Sequence, residues 1–95
     1  MSLYDKDKRT EEILGSKGRI RVLEVLNKSG ELNISEVSRR TGLNYTSVER
    51  HLTKLEDMGL LKEKRYGKIR IFEAVFKSLT VSFERGRPIK LDIQN

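Results

Sequence analysis

Between residues 19 and 58 apolar residues recur at helical spacing; beyond residue 60 they alternate with polar ones. From Arg19 to Lys28, Ile20, Val22, Leu23, Val25 and Leu26 form a broad apolar face that predicts a helix. Ser16 is placed to cap its start, and Ser29-Gly30 to end it. Leu32-Asn33-Ile34 is too short for more than a β-bridge. Ser35 is expected to cap a brief helix that stops at Thr41-Gly42, with Leu43 plugging the core and Asn44 capping the next helix. That third helix should span residues 45–58, because Val48, Leu52 and Leu55 fall at i, i+4 and i+7 and share one buried face. Gly59 then stops it. A β-hairpin follows, with strands over 60–65 and 68–74 around a turn at Tyr66-Gly67.

In the tail, Leu79, Val81 and Phe83, then Ile89, Leu91 and Ile93, alternate with polar residues on either side of Arg85-Gly86-Arg87-Pro88. Period-two alternation flanking a Gly/Pro turn predicts a second hairpin. The competing reading, a helix through Val75, Leu79 and Phe83, is weakened by Thr80, Val81 and Ser82 and cannot pass Pro88. At the other end, residues 1–12 carry too few apolar residues to fold alone, although a short helix near Thr10–Leu14 fits. The expected organisation is an N-terminal arm (1–12), a three-helix core with a hairpin wing (13–76) and a C-terminal extension (77–95) that is expected to be a hairpin and dimerisation segment. The expected fold class is α+β.

Placing Val48, Leu52 and Leu55 inward, at about 100° per residue, turns Thr46, Arg50, Thr53 and Asp57 outward. Ser47, Glu49 and Lys54 flank them, and Tyr45 projects beside the cap. Such a mixture suits base edges: arginine pairs with guanine, hydroxyls reach either base type, and glutamate accepts from cytosine N4. The alternative is an ordinary solvated helix face. It loses ground because a turn unit precedes this helix and a basic hairpin follows it. His51, some 60° from the buried centre, reads first as a packed or capping histidine.

Charge adds a second argument. The chain of 95 residues has a formal net charge of +6, which favours a polyanionic partner. Residues 44–58 sum to −1, whereas Lys62, Lys64, Arg65, Lys68 and Arg70 against Glu63 give the segment 62–70 a net +4. Attraction to phosphate should therefore come from the wing, with Tyr66 at its tip, and secondarily from Arg39 and Arg40. Lys17, Arg19 and Arg21 are weaker possibilities. Protection of an exposed strand edge by lysines is the competing explanation of the wing charge.

The absence of cysteine excludes disulfides, thiolate metal sites and thiol nucleophiles. A single histidine with scattered carboxylates offers no nucleophile-base-orienter set. No enzyme activity, cofactor or metal is therefore expected. With no long apolar run and no apolar leader segment, the expected location is the cytoplasm, without membrane association.

The segments EEILGSKGRIRVLEVL and NISEVSRRTGLNYTSVERHLTKLEDMGLL resemble the opening helix and helix-turn-helix of archaeal or bacterial winged helix-turn-helix transcription regulators of the ArsR/MarR kind. The Leu52, Leu55, Gly59, Leu60 pattern is the most specific element, and the likeness runs from Glu12 to Ala74. The resemblance implies a homodimer on pseudo-palindromic double-stranded DNA. It assigns base reading to Tyr45, Thr46, Ser47, Arg50 and Lys54, and wing contacts to Arg65, Tyr66 and Lys68. Relatives that sense metals carry cysteines where this chain has Ser35, Val37 and Ser38, so sensing of that type is not implied.

The leading expectation is a sequence-specific regulator. Base reading would fall to Tyr45, Thr46, Ser47, Glu49, Arg50, Thr53 and Lys54. Backbone contact would fall to Arg39, Arg40, Lys62, Lys64, Arg65, Tyr66, Lys68 and Arg70. An architectural protein that coats DNA, and a winged helix that binds protein, are the alternatives.

Overall fold

A computed structural model describes residues 8–95; the portion of the expected N-terminal arm over 1–7 lies outside the described residues. The elements in order are α1 (Arg9–Leu14), α2 (Lys17–Ser29), β1 (Leu32–Asn33), α3 (Ile34–Thr41), α4 (Tyr45–Asp57), β2 (Leu61–Tyr66), β3 (Ile69–Ala74), β4 (Ser78–Ser82) and β5 (Lys90–Gln94). β1, β3 and β2 form one antiparallel sheet in that order, and β4 with β5 forms a separate two-stranded sheet. This is a winged helix-turn-helix with a C-terminal hairpin.

Local chemistry sets most of the boundaries. Ser16 Oγ accepts from Arg19 N at the start of α2, and Asn44 Oδ1 accepts from Ser47 N at the start of α4. Each satisfies a backbone donor that the first helical turn leaves unpaired. Gly42, at φ 76°, ends α3 in the left-handed conformation that only glycine adopts at little cost. α3 departs from expectation at its start. Asn33, not Ser35, is the cap: its Oδ1 accepts from Glu36 N over 2.8 Å, and the helix begins one residue before Ser35. Asn33 also pairs with Ile71 in the sheet, so a single residue closes β1 and opens α3.

The core lies where the three longer helices meet the inner face of the sheet. Val22 and Leu26 of α2, Val37 of α3, Val48, Leu52 and Leu55 of α4, Leu60 and Phe72 are all fully buried. Each such side chain contributes about 1.5–3 kcal/mol relative to exposure. The sheet register sorts the wing into two faces. Leu61, Glu63 and Arg65 stand opposite Ala74, Phe72 and Arg70 on the core side, whereas Lys62, Lys64 and Tyr66 stand opposite Glu73, Ile71 and Ile69 on the outer side. The wing turn falls at Gly67-Lys68, one residue later than predicted, because Tyr66 pairs directly with Ile69 and Gly67 takes the positive φ of 63°.

The tail is a hairpin, as the alternation indicates. Leu79 pairs with Ile93 and Val81 with Leu91. Leu91 is buried, and Leu79 and Ile93 pack against the core, while Phe83 beyond the strand end is 71% exposed. At the other end α1 presents Thr10 and Ile13 inward and leaves Leu14 exposed. Arg9 of α1 donates from Nη1 to the Met58 carbonyl, placing a cation at the C-terminus of α4.

Candidate nucleic-acid interface

α4 is presented by a locked turn. Ser38 Oγ donates to the Leu43 carbonyl over 2.5 Å. Thr41 Oγ1 donates to the Val37 carbonyl and accepts from Leu43 N. Leu43 is thereby held against the core, and Asn44 starts α4 in a fixed direction.

Around its axis α4 shows three different surroundings. One flank faces the wing. Glu49 Oε2 accepts from Arg70 Nη1 over 2.6 Å, and two turns later Glu56 Oε2 accepts from the backbone N of Glu63 over 3.2 Å. The opposite flank faces α1 and α2. Buried His51 accepts at Nδ1 from Arg19 Nε, and Lys54 Nζ lies 3.9 Å from Glu12 Oε1. The ridge between the flanks, Thr46, Arg50, Thr53 and Asp57, is exposed. Together with Glu12, Arg19, Glu49 and Lys54 these residues line an open groove of about 570 Å³. Arg50 makes no ion pair among the described residues. Tyr45 is half exposed and Ser47 half buried at the first turn.

The wing cations divide by face. On the outer face Lys64 pairs with Glu31 over 2.6 Å and with Glu73 over 3.3 Å, and Lys62 with Glu73 over 3.5 Å. On the core side Arg65 and Arg70 share Glu63, and Arg70 also holds Glu49. Arg70 is therefore half buried, its guanidinium 5.4 Å from the ring centre of Phe72. The Arg70 hydrogen bond is the main cause that holds the Glu63 carboxyl below its ordinary value, reinforced by Arg65 and opposed by burial. Glu73 is likewise lowered, chiefly by Lys64. Tyr66 and Lys68 at the tip stand exposed, and Lys68 has no ionic partner among the described residues. Arg39 and Arg40 lie within 4.0 Å of Glu36, and Arg40 also donates to Ser29 Oγ.

Beside the ridge a cleft of about 190 Å³ opens between the start of α3 and the wing tip, lined by Asn33, Ile34, Ser35, Tyr45, Lys68, Ile69 and Arg70. Ser35, expected as a helix cap, instead lines this cleft with Tyr45 and Lys68. Only the pairing of Asn33 into the sheet brings these residues together, and nothing local to Ser35 announces that. Among the described residues no group of three His, Cys, Asp or Glu side chains is placed to hold a metal ion. No helix of the described residues is long and apolar enough to cross a membrane.

An exposed helix ridge beyond a locked turn, flanked by a basic wing, defines a winged helix-turn-helix DNA-binding protein. The family model described as "Bacterial regulatory protein, arsR family" matches residues 16–63. The chain belongs to that family. The family is one of transcription regulators, which is not a class of enzyme. Two solved structures from Mycobacterium bovis are similar at 26% identity. One is a crystal structure of a possible transcriptional regulatory protein (fragment 1–100), with a TM-score of 0.65, covering 77% of each chain. The other is a solution structure of a homodimeric winged helix-turn-helix DNA-binding domain (fragment 1–100), a possible ArsR-family regulator. Its TM-score is 0.64, and the match covers 76% of this chain and 66% of that one. AntR, an antimony-specific transcriptional repressor, shares the fold at 24% identity and a TM-score of 0.63, covering 79% of this chain and 72% of that one. No curated protein matches the sequence significantly. The chain is a sequence-specific DNA-binding transcription regulator.

Proposed function

We propose that this regulator places α4 in the major groove, with the ridge of Thr46, Arg50 and Thr53 against base edges and Tyr45, Ser47, Glu49 and Lys54 at its borders. The observation that carries this reading is the arrangement of α4: both flanks are tied to the protein body, and the ridge between them is open. A helix held this way needs little further ordering on binding. Lys68 and Tyr66 at the wing tip reach the sugar-phosphate backbone, and Lys62, Lys64, Arg65, Arg39 and Arg40 add to the field that attracts it.

In this reading residues 13–76 are the DNA-binding unit and 77–95 an extension that supports assembly. The regulator works as a homodimer, as its similar winged-helix domain from M. bovis does. Two copies related by a two-fold axis suit a pseudo-palindromic site. Leu14, Val75 and Phe83, exposed apolar residues outside the ridge and the wing, are available for such a contact. The protein acts in the cytoplasm and carries out no catalytic step.

Selection of bound sequences from random duplexes tests the reading. An enriched motif is expected, and Arg50→Ala should erase the preference at one position, a loss of about 1–3 kcal/mol in discrimination. Retention of duplexes without any enrichment would instead favour a protein that coats DNA. No retention, with the ridge blocked by a protein partner, would favour an interaction module.

A further inference from the structure

Arg70 belongs by sequence to the basic wing, yet its geometry is that of a link. Its Nε donates to Glu63 Oε2 over 2.7 Å and its Nη1 to Glu49 Oε2 over 2.6 Å. The guanidinium rests on the ring of fully buried Phe72. A planar group fixed by a core aromatic below and carboxylates on two edges has little freedom to turn toward a phosphate. Through this one side chain β3 holds both its partner strand and the reading helix.

Glu49 is the other half of the link. One carboxylate oxygen is taken by Arg70, while Oε1 has no partner among the described residues and Glu49 borders the open groove with Thr46, Arg50 and Thr53. A bare carboxylate near two strands of phosphates is repelled; one compensated by a guanidinium at 2.6 Å is not. The remaining oxygen can then accept a hydrogen bond from an exocyclic amine, the group that cytosine presents at N4.

We propose that Arg70 is a positioning residue for base discrimination: it orients and neutralises Glu49 so that Glu49 reads cytosine, and it is not a phosphate contact. This rests on the reading of α4 as the groove-entering helix. The wing then contributes to sequence choice through the protein, not only through contact with the DNA backbone.

The experiment is selection from random duplexes with the full chain as wild type, Glu49→Gln, Arg70→Gln and the double variant, followed by binding to the selected duplex across a salt series. Glu49→Gln is expected to lose a cytosine preference at one position by roughly tenfold, since glutamine favours adenine. Arg70→Gln should lose preference at that same position, and the double variant should lose no more than Glu49→Gln alone. The salt slope for Arg70→Gln should equal that of wild type, because no phosphate contact is removed. A slope lowered by about one with an unchanged motif would make Arg70 an ordinary backbone contact and overturn the proposal. An unchanged motif for Glu49→Gln would overturn it as well, whatever becomes of the fold of Arg70→Gln. Absence of any motif for wild type would instead fault the groove-reading model itself.

Discussion

Arg19 donates from Nε to Nδ1 of buried His51 over 3.3 Å, while its Nη1 holds both the backbone carbonyl and the carboxylate of Glu12. An acceptor at Nδ1 places the imidazole proton on Nε2 and requires the neutral ring. Burial first, then the charges of Arg19 and Arg50, push the histidine below its ordinary value of 6.5. Between that value and the lower folded one the unfolded chain binds more protons, so stability is complete above about pH 6.5 and declines as pH falls. The carboxylates Glu63 and Glu73, lowered from 4.5, withdraw their contribution only in a separate window below that value. Thermal melts should therefore show Tm declining as pH falls below about 6.5, and His51→Gln should flatten that decline. Equal slopes in the two proteins would count against His51 as the titrating group.

Gly18 explains how α2 comes close enough to α4 for this contact. A Cβ there would lie 2.9 Å from His51 Nε2 and 3.3 Å from Leu43 Cδ1. Alanine would ordinarily favour the helix by up to about 1 kcal/mol. Here it must push a packed ring off its bond with Arg19 and press on the residue that plugs the turn. We expect Gly18→Ala to destabilise by about 1–3 kcal/mol in denaturant melts. A gain in midpoint would mean that helix propensity outweighs the close approach.

What the sequence reveals, and what it conceals, follows the range of each interaction. The apolar spacing of Val48, Leu52 and Leu55 exposes the reading ridge directly, because a helix sorts its own faces. The caps at Ser16 and Asn44 are legible for the same reason, acting over three residues. Alternation from Leu79 to Ile93 is enough for the tail hairpin. The fate of the wing cations is not local. Arg70 reads as one more phosphate contact until the β2–β3 register brings it beside Glu63 and the packing of α4 brings it beside Glu49. Lys64 is matched by Glu31, which lies 33 positions away and reaches it only across the sheet. The +4 of residues 62–70 is a true sum that overstates the unpaired charge on the surface.

That division makes a prediction about salt. Lys68 stands unpaired at the wing tip, whereas Lys64 is compensated by two carboxylates, which also raise its own affinity for protons. Lys68→Ala should weaken binding to all duplexes alike and reduce the slope of log K against log salt by about one. Lys64→Ala should change the slope by clearly less. Equal reductions in a fluorescence titration would show that Lys64 leaves its partners when DNA arrives.

Thr10 in α1 offers a last test, on stability alone. Its hydroxyl is fully buried and finds no hydrogen-bond partner among the described residues. Such a group has lost its water without replacement, at a cost of roughly 1–3 kcal/mol. Valine keeps the branched shape and removes the polar atom, so the same cavity is filled without the desolvated oxygen. α1 packs on α2 and reaches α4 through the bond from Arg9 to Met58, so tighter seating of α1 should be felt by the whole domain. Thr10→Val is expected to raise stability by about 1 kcal/mol and leave affinity for DNA unchanged. A loss of stability in the same melt would indicate that the hydroxyl is hydrogen-bonded after all.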